Sequence, residues 1–430
     1  MILVLIDFDG VIVDTKKNSF DIFKRCLENF QNCKNLKLIK NLYNKTNGLN
    51  LLSISKLLGH HYKTDYLKFY KYLISEWDKV YKEIFVKKEI LEFFDFINNL
   101  DAKIAIFSSS NFEVINKILK TKLKKFYFVK KEFDTKFLLS KKTINKLKKL
   151  KKTSEKFINI DDNALINKQM TKLDFIPIHY EINKNKKNLT EIFIKVLFHN
   201  KINFFYNIYN LKFFNLRKKN FKVSKDTRNL SIKNFKKYIK KGYFNDKLSY
   251  LYNISFKNKK LNINSFNYYY NLRILRKHIS LRLLRKHISL GIQAYIVIDL
   301  YNYIIGKRKS VISEKNKLEF VPSGGLKGLI NFSINDLYSQ IKSECLEELN
   351  LKINYKNITL IGFYMDFSEN LLDFVFKTNL KNSTILRNKL TESEEHSKLL
   401  IKEKNYLKKN INQFTNTSKK IITKIVNEKI

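Results

Sequence analysis

Met1-Ile2-Leu3-Val4-Leu5-Ile6-Asp7-Phe8-Asp9-Gly10-Val11-Ile12-Val13-Asp14 opens the chain and carries its clearest structural signal. Six apolar residues run without a break into Asp7-Phe8-Asp9-Gly10. A short apolar run closed by polar residues predicts a buried strand of a parallel sheet. In open α/β sheets ligands bind at the carboxyl ends of strands, where Asp7 and Asp9 stand. Residues two apart on a strand share a side, so both carboxylates face one way unless the turn at Gly10 re-aims Asp9. Two acids at one strand tip repel each other, and a divalent cation with oxygen ligands relieves the repulsion. A strand merely ending in acidic turn residues is the plainer alternative. The spacing, the glycine and the apolar run weigh against it.

Working outward, Phe20, Phe23, Cys26 or Leu27, and Phe30 recur at helical steps, as do Leu67, Tyr70, Leu73 or Ile74, Trp77, Val80 or Tyr81, and Ile84. Residues 15 to about 86 therefore predict a helical insertion. His60 and His61 are expected there as exposed loop residues. A second strand, Ile104 to Phe107, ends in Ser108-Ser109-Ser110-Asn111 before a new helical pattern. Strand, hydroxyl residues and helix start together suit an anion, although capping by Ser110 or Asn111 explains them equally well. Further strands are expected at Phe126–Val129, at Phe157–Ile160 before Asp161-Asp162-Asn163, and at Phe175–Tyr180, where Pro177 suits an edge.

Asp7-Phe8-Asp9-Gly10-Val11 resembles the first motif of the haloacid dehalogenase superfamily, D-x-D-G-V/T. The resemblance covers about residues 1–190 and implies a Rossmann-like α/β domain with a helical cap over about 15–86. It implies that Asp7 is the nucleophile that takes up a phosphoryl group and Asp9 the general acid/base. Ser108 would hold the phosphoryl group. Asp161 and Asp162 would complete a Mg²⁺ shell (Mn²⁺ being an alternative) with Asp7 and the backbone carbonyl of Asp9. The family lysine is expected at Lys141, in Ser140-Lys141-Lys142, with Lys142 or Lys136 as alternatives.

The 430 residues suggest two or three domains, and 44% hydrophobic content is ample for their cores. The 84 basic and 39 acidic residues leave a net charge of +45, which would suggest a nucleic-acid partner. Lys, Asn, Ile, Phe and Tyr are raised together while Gly and Pro number only 10 and 2, the pattern of an A+T-biased gene. Nucleic-acid binding is accordingly expected to be non-specific only. Cys26, Cys33 and Cys345 have no zinc or disulfide spacing, which points to reducing cytoplasm. Neither a signal peptide nor a membrane span is expected.

Residues 191–287 form a basic, aromatic-rich connecting region without a readable motif, expected to be helical satellite structure. Tyr268-Tyr269-Tyr270 lies within it. Leu275–Leu281 recurs as Leu284–Leu290, too few copies for a solenoid. Beyond it, strands are expected at Ile292–Ile298, Tyr303–Arg308, Ile358–Met365 and Leu371–Lys377. A helix over Ser333–Leu349 would bury Ile334, Leu337, Ile341, Cys345 and Leu349, and a basic helix is expected over Ser397–Asn410. Glu344, Glu347 and Glu348 lie three or four apart, so their carboxylates are expected to converge. Asn350 suits the left-handed position after the helix.

Glu344-Cys345-Leu346-Glu347-Glu348-Leu349-Asn350-Leu351 resembles the end of the Nudix box, R-E-U-x-E-E-x-G-U, and Gly324-Gly325 its beginning. The resemblance covers about 288–410 and implies an α/β/α sandwich over 288–430. It also implies that Glu344, Glu347 and Glu348 bind the metal ion or position water, with Glu344 catalytic. Ser343 replaces the box arginine and Asn350 the glycine. The earlier glutamate is missing, with Asn335 or Asp336 nearest. Glu394 or Glu395 is a weaker candidate ligand.

Together these readings predict a bifunctional metal-dependent hydrolase. A phosphatase site would act on a phosphate monoester, a sugar phosphate among the candidates. A pyrophosphohydrolase site would act on a nucleoside diphosphate derivative such as a nucleotide sugar. The alternatives are a nucleic-acid-associated protein with decayed catalytic domains, and a phosphomutase carrying a non-catalytic Nudix-like binding module.

Overall fold

The computed structural model describes the chain except residues 47–50, 124, 136–137, 186, 209–213, 219–247, 258–259, 269–287, 310–315, 329–331, 382–395 and 428–430. The chain divides into two compact units, Met1–Phe193 and Ile194–Ile430.

The first unit is built on a five-stranded parallel sheet. Its strands are β1 (Ile2–Ile6), β2 (Ala102–Ser108), β3 (Tyr127–Lys130), β6 (Lys156–Asp161) and β7 (Ile176–His179). A two-stranded ribbon, β4 (Phe133–Thr135) and β5 (Leu138–Leu139), lies between β3 and β6 in sequence. The spatial order is β3-β2-β1-β6-β7, with β1 central and β7, which carries Pro177, at an edge. Ile2, Leu3, Val4, Leu5 and Ile6 are all buried, as a central strand covered on both faces requires. Leu3, Leu5, Ala105 and Phe107 pack with Leu147, Ile166 and Met170 into one cluster. Each of the Leu, Ile, Phe and Met side chains contributes about 1.5–3 kcal/mol by leaving water.

Four helices stand between β1 and the rest of the sheet: α1 (Lys16–Gln31), α2 (Leu36–Thr46), α3 (Leu51–Tyr62) and α4 (Tyr66–Glu83). They bury Phe23, Cys26, Leu27, Ile39, Leu58, Phe69 and Leu73 among themselves. The expected helical cap is present. His60 and His61 differ from expectation in lying in the last turn of α3, though both are exposed. Asp65 starts α4 by accepting the Leu67 N–H at 2.9 Å. Then come α5 (Lys88–Ile97), α6 (Phe112–Leu119), α7 (Lys141–Lys151), α8 (Ala164–Thr171) and α9 (Leu189–His199).

The second unit holds an eleven-stranded mixed sheet. Its main path is β8 (Phe204–Asn207), β16 (Ile358–Asp366), β17 (Leu371–Leu380), β12 (Ile288–Ile298), β10 (Leu248–Lys257), β11 (Lys260–Tyr268) and β9 (Phe214–Lys218). β13 (Asn302–Arg308) pairs with β12, with β14 (Leu318–Phe320) and with β18 (His396–Glu403), while β15 (Ser323–Gly325) pairs with β12. Alternation along β17 puts Val375 and Phe376 on opposite faces. Val375 packs with Ile421, Ile422 and Ile425 of the helix Asn416–Asn427. Phe376 meets Tyr338 of the helix Ile334–Leu349 edge-on, with ring centroids 5.7 Å apart. Helices on both faces make the expected α/β/α sandwich.

Two expectations about secondary structure are corrected. Within 191–287 the described residues 204–207, 214–218, 248–257 and 260–268 are strands, not helical satellites. Leu261 and Ile263 are buried in β11, at the two-residue period of a strand. Ser397–Glu403 is likewise strand, paired antiparallel to β13, and helix begins only at Lys404. Tyr269, Tyr270, most of the nine-residue repeat, Lys136, Glu394 and Glu395 lie outside the described residues.

Candidate active site

The parallel strands deliver their chemistry at one edge, because all of them end there. β1 ends just before Asp7, β2 ends at Ser108, β6 ends at Asp161, and β3 ends one residue before Lys131. The Lys131 N–H donates to the Ser108 carbonyl at 2.8 Å, extending the β2–β3 ladder and fixing that lysine in the row. Its ammonium lies 2.7 Å from Asp7 Oδ2 and 2.6 Å from Asp161 Oδ2, with all three side chains buried. Asp7 Oδ1 accepts the Phe8 N–H at 2.8 Å, and Asp161 Oδ1 accepts the Asn163 N–H at 2.9 Å.

This corrects the lysine assignment. Lys141 is exposed at the first turn of α7, where its N–H donates to Asp134 Oδ2 at 3.3 Å. Lys142 is also exposed and pairs with Glu132 at 3.2 Å. The side chain of Lys131 leaves a strand end instead, so the sheet itself aims it at Asp7. The rule that singled out the acids, polar residues closing an apolar run, applies equally to Phe126-Tyr127-Phe128-Val129-Lys130-Lys131. The chain's abundance of lysines obscured it.

Asp7, Asp161 and Asp162 can each place a carboxylate oxygen within 4.8 Å of the others. Among the described residues this is the one group of three or more potential ligands so close together. Gly10, with φ of 85°, passes against Asp162, whose Oδ2 would lie 2.3 Å from an added Cβ. A side chain there would displace the carboxylate, so the glycine is required both for its backbone and for this approach. All-oxygen donors with high charge density fit a hard divalent cation.

Asp9 stands apart from that row. Ser110 Oγ donates to Asp9 Oδ2 at 2.5 Å, and Tyr81 Oη, from the last turn of α4, lies 3.5 Å from Asp9 Oδ1 and 3.2 Å from Ser110 Oγ. Asn111, not Ser110, caps α6, accepting the Glu113 N–H at 3.1 Å. Ser108 is buried, and its Oγ accepts the Ser110 N–H at 3.0 Å.

Burial dominates the electrostatics. Desolvation pushes the Asp7 carboxyl well above its ordinary range, Lys131 opposes the shift, and Asp161 and Asp162 reinforce it. Asp161 and Asp9 are raised by burial as well, against Lys131 for the former and the Ser110 hydroxyl for the latter. Burial disfavours the Lys131 ammonium, but Asp161 and Asp7 outweigh it and raise its pKa. Asp7 and Asp161 thus share one fixed ammonium with Asp162 alongside, and a divalent cation would offset most of the remaining negative charge.

In the second unit the three glutamates do not converge. Glu344 and Glu348 are buried, whereas Glu347 is exposed, accepting from Ser343 Oγ at 2.7 Å and pairing with Lys327 at 3.5 Å. Successive helical residues diverge by about 100°, so the face that buries Glu348 turns Glu347 outward. Glu348 accepts the Ser323 N–H at 3.1 Å and lies 3.6 Å from His396 Nδ1. His396 Nε2 is 2.9 Å from Glu319, which in turn pairs with Arg308 at 2.9 Å. Glu344 accepts from Gln340 at 3.2 Å, and its carboxylate stands 3.2 Å from where a Cβ on Gly324 would be. Ser333 and Asp336 form a reciprocal cap on this helix, and Asn350 ends it with φ of 53°.

The parallel sheet and its strand-end acids define an α/β domain of the hydrolase class. Residues 4–170, within the amino-terminal unit, match the family model of haloacid dehalogenase-like hydrolases. Comparison with curated proteins gives no match. Among solved structures the chain is similar to a HAD hydrolase of family IA, variant 3, from Entamoeba histolytica: 16% identity, TM-score 0.34, covering 46% of this chain and 89% of that one. It is similar to a MutT/nudix family protein from Enterococcus faecalis (13%, TM-score 0.22, 27% of this chain and 43% of that one). It is also similar to a bifunctional NMN adenylyltransferase/ADP ribose pyrophosphatase from Francisella tularensis, complexed with AMP and a Mn ion (12%, TM-score 0.28, 75% and 90%).

Proposed function

We propose that the first unit is a divalent-cation-dependent phosphatase for small phosphate monoesters, sugar phosphates among them. The observation that carries this reading is Lys131 bridging Asp7 and Asp161 with Asp162 alongside. An Asp7 carboxylate oxygen attacks phosphorus as the bond from phosphorus to the alcohol oxygen breaks, and Asp9 gives that oxygen its proton. Water then attacks the acyl-phosphate, returns a proton to Asp9, and frees phosphate and Asp7. Lys131 holds the nucleophile and offsets charge on the phosphoryl oxygens, while Ser108 binds one of them. Asp7, Asp161 and Asp162 would hold the cation, Mg²⁺ or Mn²⁺, which when bound supplies further charge neutralisation.

Chelation with EDTA is expected to abolish phosphate release and added Mg²⁺ to restore it. At a hundredfold excess over its Kd the cation should stabilise the fold by about 2.7 kcal/mol. The raised carboxyl pKa values set the pH dependence. A carboxyl raised in the folded state costs stability once ionised, above its unfolded value of 3.8, and the cost is complete above its folded value. Cation stabilisation should therefore fade on acidification as protons displace the ion. Phosphate release indifferent to EDTA would sink the reading.

A second reading, pyrophosphohydrolysis of nucleoside diphosphate derivatives by the second unit, is favoured by Glu344 and Glu348 facing the Ser323–Gly325 strand. It expects Glu344→Gln to abolish that cleavage, Glu347→Gln to spare it, and both to leave monoester hydrolysis unchanged. Cleavage that survives Glu344→Gln would refute it and leave a Nudix-like binding module. A reducing, cytoplasmic setting suits three free cysteines. Among the described residues no helix is long and apolar enough to cross a membrane.

A further inference from the structure

Asp9 is gripped by three hydroxyls, two of which come from the cap and its connection. Thr15, hydrogen-bonded to Asp9, immediately precedes α1. Tyr81 stands in the last turn of α4, near the other end of the cap. Ser110 is the core's contribution.

A hydroxyl has one proton to donate. At 2.5 Å Ser110 spends its proton on Asp9, so its lone pairs are left to accept the Tyr81 proton at 3.2 Å. The chain therefore runs Tyr81 to Ser110 to Asp9, with the 3.5 Å approach of Tyr81 to Asp9 beside it. The tyrosine ring is fixed from both sides. Trp77 of the cap stacks on it at 5.2 Å and 28°, and Phe8, the residue between the two aspartates, meets it at 6.3 Å. A ring held between cap and core, with its hydroxyl on the acid/base, ties the orientation of Asp9 to the position of the cap.

We propose that Tyr81 is a positioning residue that, through Ser110, aligns the Asp9 carboxyl with the leaving-group oxygen when the cap is closed. This inference rests on the phosphatase reading for its kinetic consequence and on geometry alone for the coupling. Its function would be to confine proton delivery to the closed site, where water is excluded.

The test is Tyr81→Phe, which keeps the ring packed between Trp77 and Phe8. An alkyl phosphate needs its leaving oxygen protonated, whereas the nitrophenolate of 4-nitrophenyl phosphate leaves with little help. Tyr81→Phe is expected to lower kcat/KM for an alkyl phosphate, which reports formation of the acyl-phosphate, about tenfold, a part of the roughly hundredfold or more that a general acid contributes. It should leave kcat/KM for 4-nitrophenyl phosphate near wild type. An equal fall in kcat/KM on both substrates, or no fall on the alkyl phosphate, would overturn the proposal. A second readout needs no turnover: Trp77 is the chain's one tryptophan. Asp9→Asn should shift its emission in the presence of Tyr81 and not in the Tyr81→Phe background. The same shift in both backgrounds would overturn the coupling. If no monoester is hydrolysed by wild type, the phosphatase reading fails separately, and the emission experiment still decides whether Tyr81 links the cap to Asp9.

Discussion

Lys131→Met is expected to destabilise the first unit by about 3 to 5 kcal/mol near neutral pH and to abolish phosphate release. The substitution retains an unbranched apolar stem, so packing against Phe107, whose ring centroid lies 4.9 Å from the ammonium, is largely kept. What is lost is the ammonium between two buried carboxylates, and removing one partner of a buried ion cluster strands the others without compensation. The defect should shrink as pH falls. Without Lys131 the Asp7 and Asp161 carboxyls are raised further above their unfolded values. Each then binds a proton more readily when folded, and the cost of its ionisation vanishes below the unfolded value of 3.8. Lys141→Met is the control: an exposed helix-start lysine should change stability by no more than about 0.5 kcal/mol and leave activity intact. Chemical denaturation at two pH values, with phosphate release measured alongside, checks both. A Lys131→Met protein as stable and active as Lys141→Met would show that the buried ammonium has neither role.

Asp7→Asn should separate activity from stability. Loss of a covalent nucleophile raises the barrier by about 4 kcal/mol or more, roughly a thousandfold in rate. The fold should tolerate the change, because a carboxylate that burial disfavours is removed and Lys131 keeps Asp161 as its partner. A variant that melts no lower than wild type yet releases no phosphate is the expected outcome, as for active sites held at the expense of stability. Near-normal turnover by a preparation free of contaminating phosphatase would remove Asp7 from the nucleophile's place.

The strands of the first unit were legible because a buried parallel strand is written as a continuous apolar run, and Met1–Ile6, Ile104–Phe107 and Phe157–Ile160 are such runs. Their polar ends located Asp7, Ser108 and Asp161 for the same reason. The cap is legible from its helical spacing, but the boundary between α2 and α3 is not. Around residues 248–268 the alternation in Lys260-Leu261-Asn262-Ile263-Asn264 was present but masked by the chain-wide excess of Asn and Lys. Ser397–Glu403 carried no decisive period, and pairing with β13 settled it as strand.

From sequence alone the main parallel strands and cap helices of the first unit, the strand-end acids and the apolar stripe of the Ile334–Leu349 helix were determined, because periodicity and turns are local properties of the chain. Only the tertiary structure decided which lysine joins the acids, which glutamates of the Ile334–Leu349 helix are buried, and that Tyr81 reaches Asp9 across 72 residues. Those choices depend on which strand ends stand side by side and which helix face meets the sheet, and such contacts are set by packing between distant segments rather than by spacing along the chain.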